Sequence, residues 1–112
     1  MADQEIRQVK IKTGSVRRLA KELALYEKER EAEQAKVDRL KADGAEIHDL
    51  KHAENVLAEA SMMIPDTRQR LQAALGDLKY LVAEVEDNPD VIASEEFAAA
   101  KAIIAEMEPL FQ

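Results

Sequence analysis

Large aliphatic residues recur every seven positions through the middle of the chain: Leu50, Leu57, Ile64, Leu71, Leu78 and Val85. If these occupy heptad position a, position d holds Ala53, Ala60, Thr67, Ala74 and Leu81, and the phase is the same on both sides of Pro65. Two helices joined by a turn would have no reason to share a register, so the pattern predicts one helix over about 46–86. Pro65 then falls at b, on the outer face. There it loses the bond to the Ser61 carbonyl and crowds it, at a cost of about 3 kcal/mol that a kink would partly relieve. A helix beginning at Pro65 would need Ile64 as its N-cap, and Ile64 has no side-chain acceptor.

An earlier helix is predicted over about 4–42, with Val9, Val16, Leu23, Arg30 and Val37 at a and Leu19, Tyr26, Glu33 and Leu40 among the d positions. Asp43 and Gly44 stop it, Gly44 being suited to a left-handed cap. Gly14 falls at f, where it costs about 1 kcal/mol of helix propensity, and either loosens the helix or lets something approach closely. A third helix is predicted over about 90–108, carrying Phe97, Ala100, Ile104 and Met107 at helical spacing. Asn88 with Pro89, or Ser94 followed by two glutamates, can open it, and Pro109 closes it.

Short connections make successive helices antiparallel, so the expected fold is all-α: one domain over 1–112, an antiparallel three-helix bundle of two long helices and a shorter C-terminal one. At 1.5 Å per residue the third helix is roughly 28 Å long against 58 Å for its neighbours. It should cover the second half of helix 2, where Leu75 and Val82 widen the apolar stripe, and the first half of helix 1, where Ile6 and Ala20 do so. The other halves are thin: helix 1 there reads Glu27-Lys28-Glu29-Arg30-Glu31-Ala32-Glu33.

Composition agrees with long helices. Charged residues make up 35% of the 112, aromatics 4%, and there is no cysteine, which removes disulfides and thiolate metal sites. No apolar run is long enough to span a membrane, and the start shows no secretory signal, so a cytoplasmic location and no membrane partner are expected. The net charge is −7 but unevenly spread. Residues 1–21 carry six basic against two acidic side chains, a balance of +4, and residues 84–112 carry one basic against eight acidic, a balance of −7. Such a chain is a poor nucleic-acid binder, yet its basic end is available to an acidic partner or to its own acidic end.

Candidate chemistry is sparse. There is no phosphate-binding glycine loop and no nucleophile beside a base, so no enzyme and no cofactor are expected. His48 and His52 stand at i and i+4, but no third ligand follows at a diagnostic spacing, and two solvated imidazoles near a helix end are the plainer reading. More telling are apolar residues on outer faces: Met62 and Met63 beside Pro65, and Ile11 and Leu25 at c positions of helix 1. Single exposed apolar residues are ordinary, but adaptable methionines beside a costly proline suit a partner surface.

Two runs carry a resemblance. The first is Ile6-Arg7-Gln8-Val9-Lys10-Ile11-Lys12-Thr13-Gly14-Ser15-Val16-Arg17-Arg18-Leu19, with Lys21-Glu22 and Tyr26-Glu27-Lys28-Glu29 behind it. The second is Met62-Met63-Ile64-Pro65-Asp66, followed by Arg70-Leu71, Ala73-Ala74 and Asp77-Leu78. Over about 4–107 the chain resembles the tubulin-binding cofactor A family. The resemblance implies a three-helix bundle. It also implies a cytoplasmic, cytoskeleton-associated chaperone that captures β-tubulin after chaperonin release. Such a chaperone passes its client to later tubulin-folding cofactors for heterodimer assembly without hydrolysing nucleotide. It further implies contact through helical faces. Carried onto matching positions, Lys10, Lys12, Arg17, Arg18 and Lys21 would meet acidic tubulin, and Ile11, Met62, Met63, Pro65, Asp66 and Arg70 would form a second, more apolar patch. The rival reading is a coiled-coil scaffold, pairing as a homodimer along the thin half, where Arg30 and Glu33 at seam positions could set register. The chaperone reading favours a monomer and leaves the homodimer open.

Overall fold

The computed structural model describes residues 2–112, and among them every regular element is helical. Helix α1 spans Ala2–Ala42, α2 Ile47–Val85, α3 Pro89–Ile92 and α4 Glu95–Met107, and a 3₁₀ turn follows at Glu108–Phe111. The chain divides into two compact units. The first joins residues 1–20 to 69–112, and the second is residues 21–68.

Each boundary has a local cause. α1 opens with Asp3 and Glu5 and closes with Arg39 and Lys41, which complements its dipole at both ends. It stops at Gly44, whose φ of 67° is the left-handed conformation that a Cβ would strain. The Gly44 amide donates to the Lys41 carbonyl at 3.2 Å and the Ala45 amide to the Leu40 carbonyl at 3.0 Å. This pair of bonds is a Schellman motif, and it satisfies carbonyls the helix end would otherwise orphan. α2 begins when the Leu50 amide donates to the Glu46 carbonyl at 3.0 Å. It then runs unbroken through Pro65, which lies exposed within it. The apolar register on the two sides of the proline is strong enough to carry the helix past the missing donor.

The single helix expected over 90–108 is two helices. Asn88, extended at φ −99° and ψ 107°, caps α3 by accepting from the Asp90 amide, with Pro89 supplying the preset φ of a first helical residue. Ser94 is extended again, at φ −78° and ψ 154°. Its hydroxyl accepts from the Phe97 amide at 3.1 Å and donates to the Val91 carbonyl at 2.6 Å. The two openings that the sequence offers as alternatives are both used, and the second cap breaks the run. Pro109 cannot donate to continue α4, so the chain tightens into the 3₁₀ turn.

In the first unit the a and e positions of α2 are fully buried: Leu71, Leu75, Leu78, Val82 and Val85. Val9 and Val16 of α1, Val91 of α3, and Ala100 and Ile103 of α4 complete this core. Thr13 is buried among them, and its hydroxyl donates to the Val9 carbonyl at 2.8 Å, which removes the cost of hiding a polar group. Asn88 Nδ2 donates to Glu5 Oε1 at 3.1 Å, tying the start of α1 to the start of α3. Lys79 of α2 pairs with Glu108.

The second unit buries Leu23, Val37, Ala53 and Thr67, while Leu50, Leu57 and Ile64 at a positions are only half-buried. Lys41 Nζ lies 4.0 Å from Glu54 Oε2, joining α1 to α2 across exposed surface. Arg30, at a seam position, is exposed, and Glu33 holds one buried oxygen, Oε2, with no hydrogen-bond partner.

Candidate functional site

Much of the basic end of the sequence lies along α1 in the first unit. Lys10, Arg17 and Arg18 are exposed and Lys12 is half-buried. Among the described residues none of Lys10, Lys12, Arg17 and Arg18 makes an ion pair. Cations outside ion pairs are available to an acidic partner.

Two open clefts organise these side chains, and both belong to the first unit. One, of about 860 Å³, is lined by Arg7, Lys10, Ile11, Gly14, Ser15 and Arg18, with Asp3 and Glu96 also on its lining. The other, of about 440 Å³, places Lys12 and Arg18 of α1 with Arg70 of α2, over Ala73 and Ala74, with Asp77 beside them. Lys12, Arg18 and Arg70 therefore share a cleft although Arg70 lies far along the chain. Ile11 is about half exposed, at 51%.

The remaining candidate residues lie in the second unit. Lys21 is exposed on α1. On α2, Met62 is 71% and Met63 46% exposed, with Pro65 and Asp66 exposed next to them. Both methionines are solvated, as expected for the outer face of α2. Arg7 was missed by sequence reasoning. Its signal is its place four residues before Ile11 and seven before Gly14, on the same outer row of helix 1.

Neither cleft contains a histidine or a cysteine. His48 and His52 are exposed on α2. Among the described residues no three His, Cys, Asp or Glu side chains converge as metal ligands would, and no helix is long and apolar enough to cross a membrane. The arrangement is a charged, partly apolar surface of the kind that suits contact with another macromolecule.

Comparison with known proteins agrees with that character. Residues 4–104 match the sequence profile of the family described as tubulin binding cofactor A. Tubulin-folding cofactor A of Arabidopsis thaliana is 48% identical over 106 residues, covering 95% of this chain and 93% of the relative. Tubulin-specific chaperone A of Mus musculus is 41% identical over 104 residues, covering 93% and 94%. Among solved structures, that of tubulin folding cofactor A from Arabidopsis thaliana superposes with a TM-score of 0.88 at 46% identity, covering 95% of this chain and 97% of that one. Human tubulin chaperone cofactor A gives 0.80 at 38%, covering 93% and 98%. Similarity that runs nearly end to end in both sequence and backbone leaves one conclusion: the chain belongs to the tubulin-binding cofactor A family.

Proposed function

We propose that this protein is a tubulin-folding chaperone: it captures β-tubulin intermediates after chaperonin release and passes them on for α/β-heterodimer assembly, without hydrolysing nucleotide. The observation that carries this reading is the family match over 4–104, with relatives named for tubulin folding that are covered at 93% or more of their length. The unpaired cations of α1 support it, because they give an acidic client a place to land. The protein works in the cytoplasm as a monomer and hands its client to later folding cofactors. Its helices form an antiparallel bundle in which α3 and α4 together take the place of a third helix, a reading supported by the Asn88–Glu5, Lys79–Glu108 and Lys41–Glu54 contacts.

Two sets of residues carry binding in this proposal. Lys10, Lys12, Arg17, Arg18 and Lys21 speed encounter, and Ile11, Met62, Met63, Pro65, Asp66 and Arg70 hold the client once it has landed. Steering charges act mainly on association, so moderate salt should slow the on-rate more than it raises the off-rate. Stopped-flow rates at two ionic strengths test this, and a salt effect confined to dissociation would remove the steering role. The central experiment is co-purification with recombinant tubulins. Retention of β-tubulin in preference to α-tubulin is expected, and equal retention of both, or of neither, would overturn the assignment. A folded Met62→Ala/Met63→Ala/Arg18→Ala variant should lose most of that retention.

One observation favours a second reading, a homodimeric coiled-coil scaffold. Glu33 Oε2 is buried without a partner at a seam position, and Arg30 is exposed at another, as if a second chain could satisfy them. Sedimentation equilibrium separates the two, since the scaffold requires a dimer and the chaperone does not.

A further inference from the structure

One outer row of α1 in the first unit has a composition that the fold itself does not require. Arg7, Ile11, Gly14 and Arg18 follow at spacings of four, three and four, a single ridge of the helix. Gly14 has nothing within 4 Å of where a Cβ would sit, and its φ is not positive. Neither packing nor backbone conformation in this chain calls for glycine there, while a glycine inside a helix weakens it. The small Ser15 lines the same cleft, and Ile11 stands half exposed. Arg7, Lys10 and Arg18 line it with Asp3 and Glu96, and none of the three cations has an ion-pair partner among the described residues.

The geometry points to a docking row for an acidic amphipathic helix of the protein's client. The client backbone seats against Gly14 and Ser15, its carboxylates meet Arg7, Lys10 and Arg18, and an apolar side chain lies on Ile11. From Arg7 to Arg18 the row runs about 16 Å along the axis, three turns that a partner helix matches turn for turn. A missing Cβ is what lets a second backbone come close. Charge complementarity fixes the sign of the occupant, because the cations Arg7, Lys10 and Arg18 outnumber the carboxylates Asp3 and Glu96 on this lining. The inference rests on the tubulin reading and adds to it the kind of segment that is held and where.

The test uses the full chain, recombinant β-tubulin, and the variants Gly14→Ala, Gly14→Leu and Arg7→Glu. Both glycine substitutions should raise the thermal midpoint by roughly 4 °C, since each is a better helix former. Retention of β-tubulin should fall by about tenfold or more for Gly14→Leu, with Gly14→Ala in between, because added side-chain bulk blocks close approach. Arg7→Glu should also weaken binding by about tenfold, mainly through slower association. A Gly14→Leu chain that holds β-tubulin as tightly as wild type overturns the docking row and leaves the tubulin reading intact. A lowered midpoint for that variant overturns it as well, by showing that the position is packed within the fold. If the wild-type chain retains no tubulin, both readings fall.

Discussion

The first unit buries five consecutive a and e residues of α2, from Leu71 to Val85, while the a residues of the second unit, Leu50, Leu57 and Ile64, stay half-exposed. Both units draw on the same two long helices and the same heptad phase, so periodicity does not separate them. What differs is the number of helices available to cover the stripe. The first unit includes α3 and α4 beside its stretches of α1 and α2; the second has α1 and α2 alone. Two helices can hide a narrow seam, and the second unit accordingly places alanine at Ala53 and Ala60 and admits Arg30 and Glu33 at seam positions. The comparison teaches that a shared register specifies which side chains face inward, and that their depth of burial depends on coverage.

The sharpest way to break the comparison is a matched pair of truncations. Leu78→Ala should cost about 4 kcal/mol because it empties a fully buried site, whereas Leu57→Ala should cost about 2 kcal/mol at its half-buried one. Urea unfolding followed by far-UV circular dichroism measures both, and equal costs would mean that the units are equally well packed. Next in size is Pro65→Ala in the second unit. Restoring the donor and removing the clash should stabilise the chain by about 2 kcal/mol, the helix gain less the loss of unfolded-state restriction. A fall in the thermal midpoint would instead give the proline a structural role in its helix. Glu33→Met should add about 1 kcal/mol by replacing the unpartnered buried oxygen with an apolar group, visible as a higher urea midpoint. Smallest is Lys79→Ala in the first unit. Its pair with Glu108 is close to half exposed on both sides, so the change should stay within about 0.5 kcal/mol.

Much of the fold was legible because helices announce themselves locally. The stop at Gly44, the caps at Asn88 and Ser94, and the passage of one helix through Pro65 all follow from residues within a turn or two of each other. The use of both caps was harder to foresee. Either could open a helix, and only the chain path that buries Val91 and lets the Ser94 hydroxyl bond to its carbonyl settles that they act in succession. Thr13 shows the same limit: it does not look like a core residue, yet it is buried, its hydroxyl turned onto its own helix.

The candidate surface divides in the same way. Which side chains stand on outer rows, Met62 and Met63 among them, follows from counting positions along a helix, since the pitch of 3.6 residues is a property of the backbone alone. Which of them meet does not. Lys12, Arg18 and Arg70 share a cleft because α1 and α2 are brought together within the first unit, and Arg7 enters the other cleft with Glu96, which comes from α4. Composition and periodicity were enough to determine an all-helical chain, the stop at Gly44 and the inward face of its long helices. The clefts, and the use of Asn88 and Ser94 in succession, needed the tertiary structure, because contacts between residues distant in sequence leave no periodic trace along it.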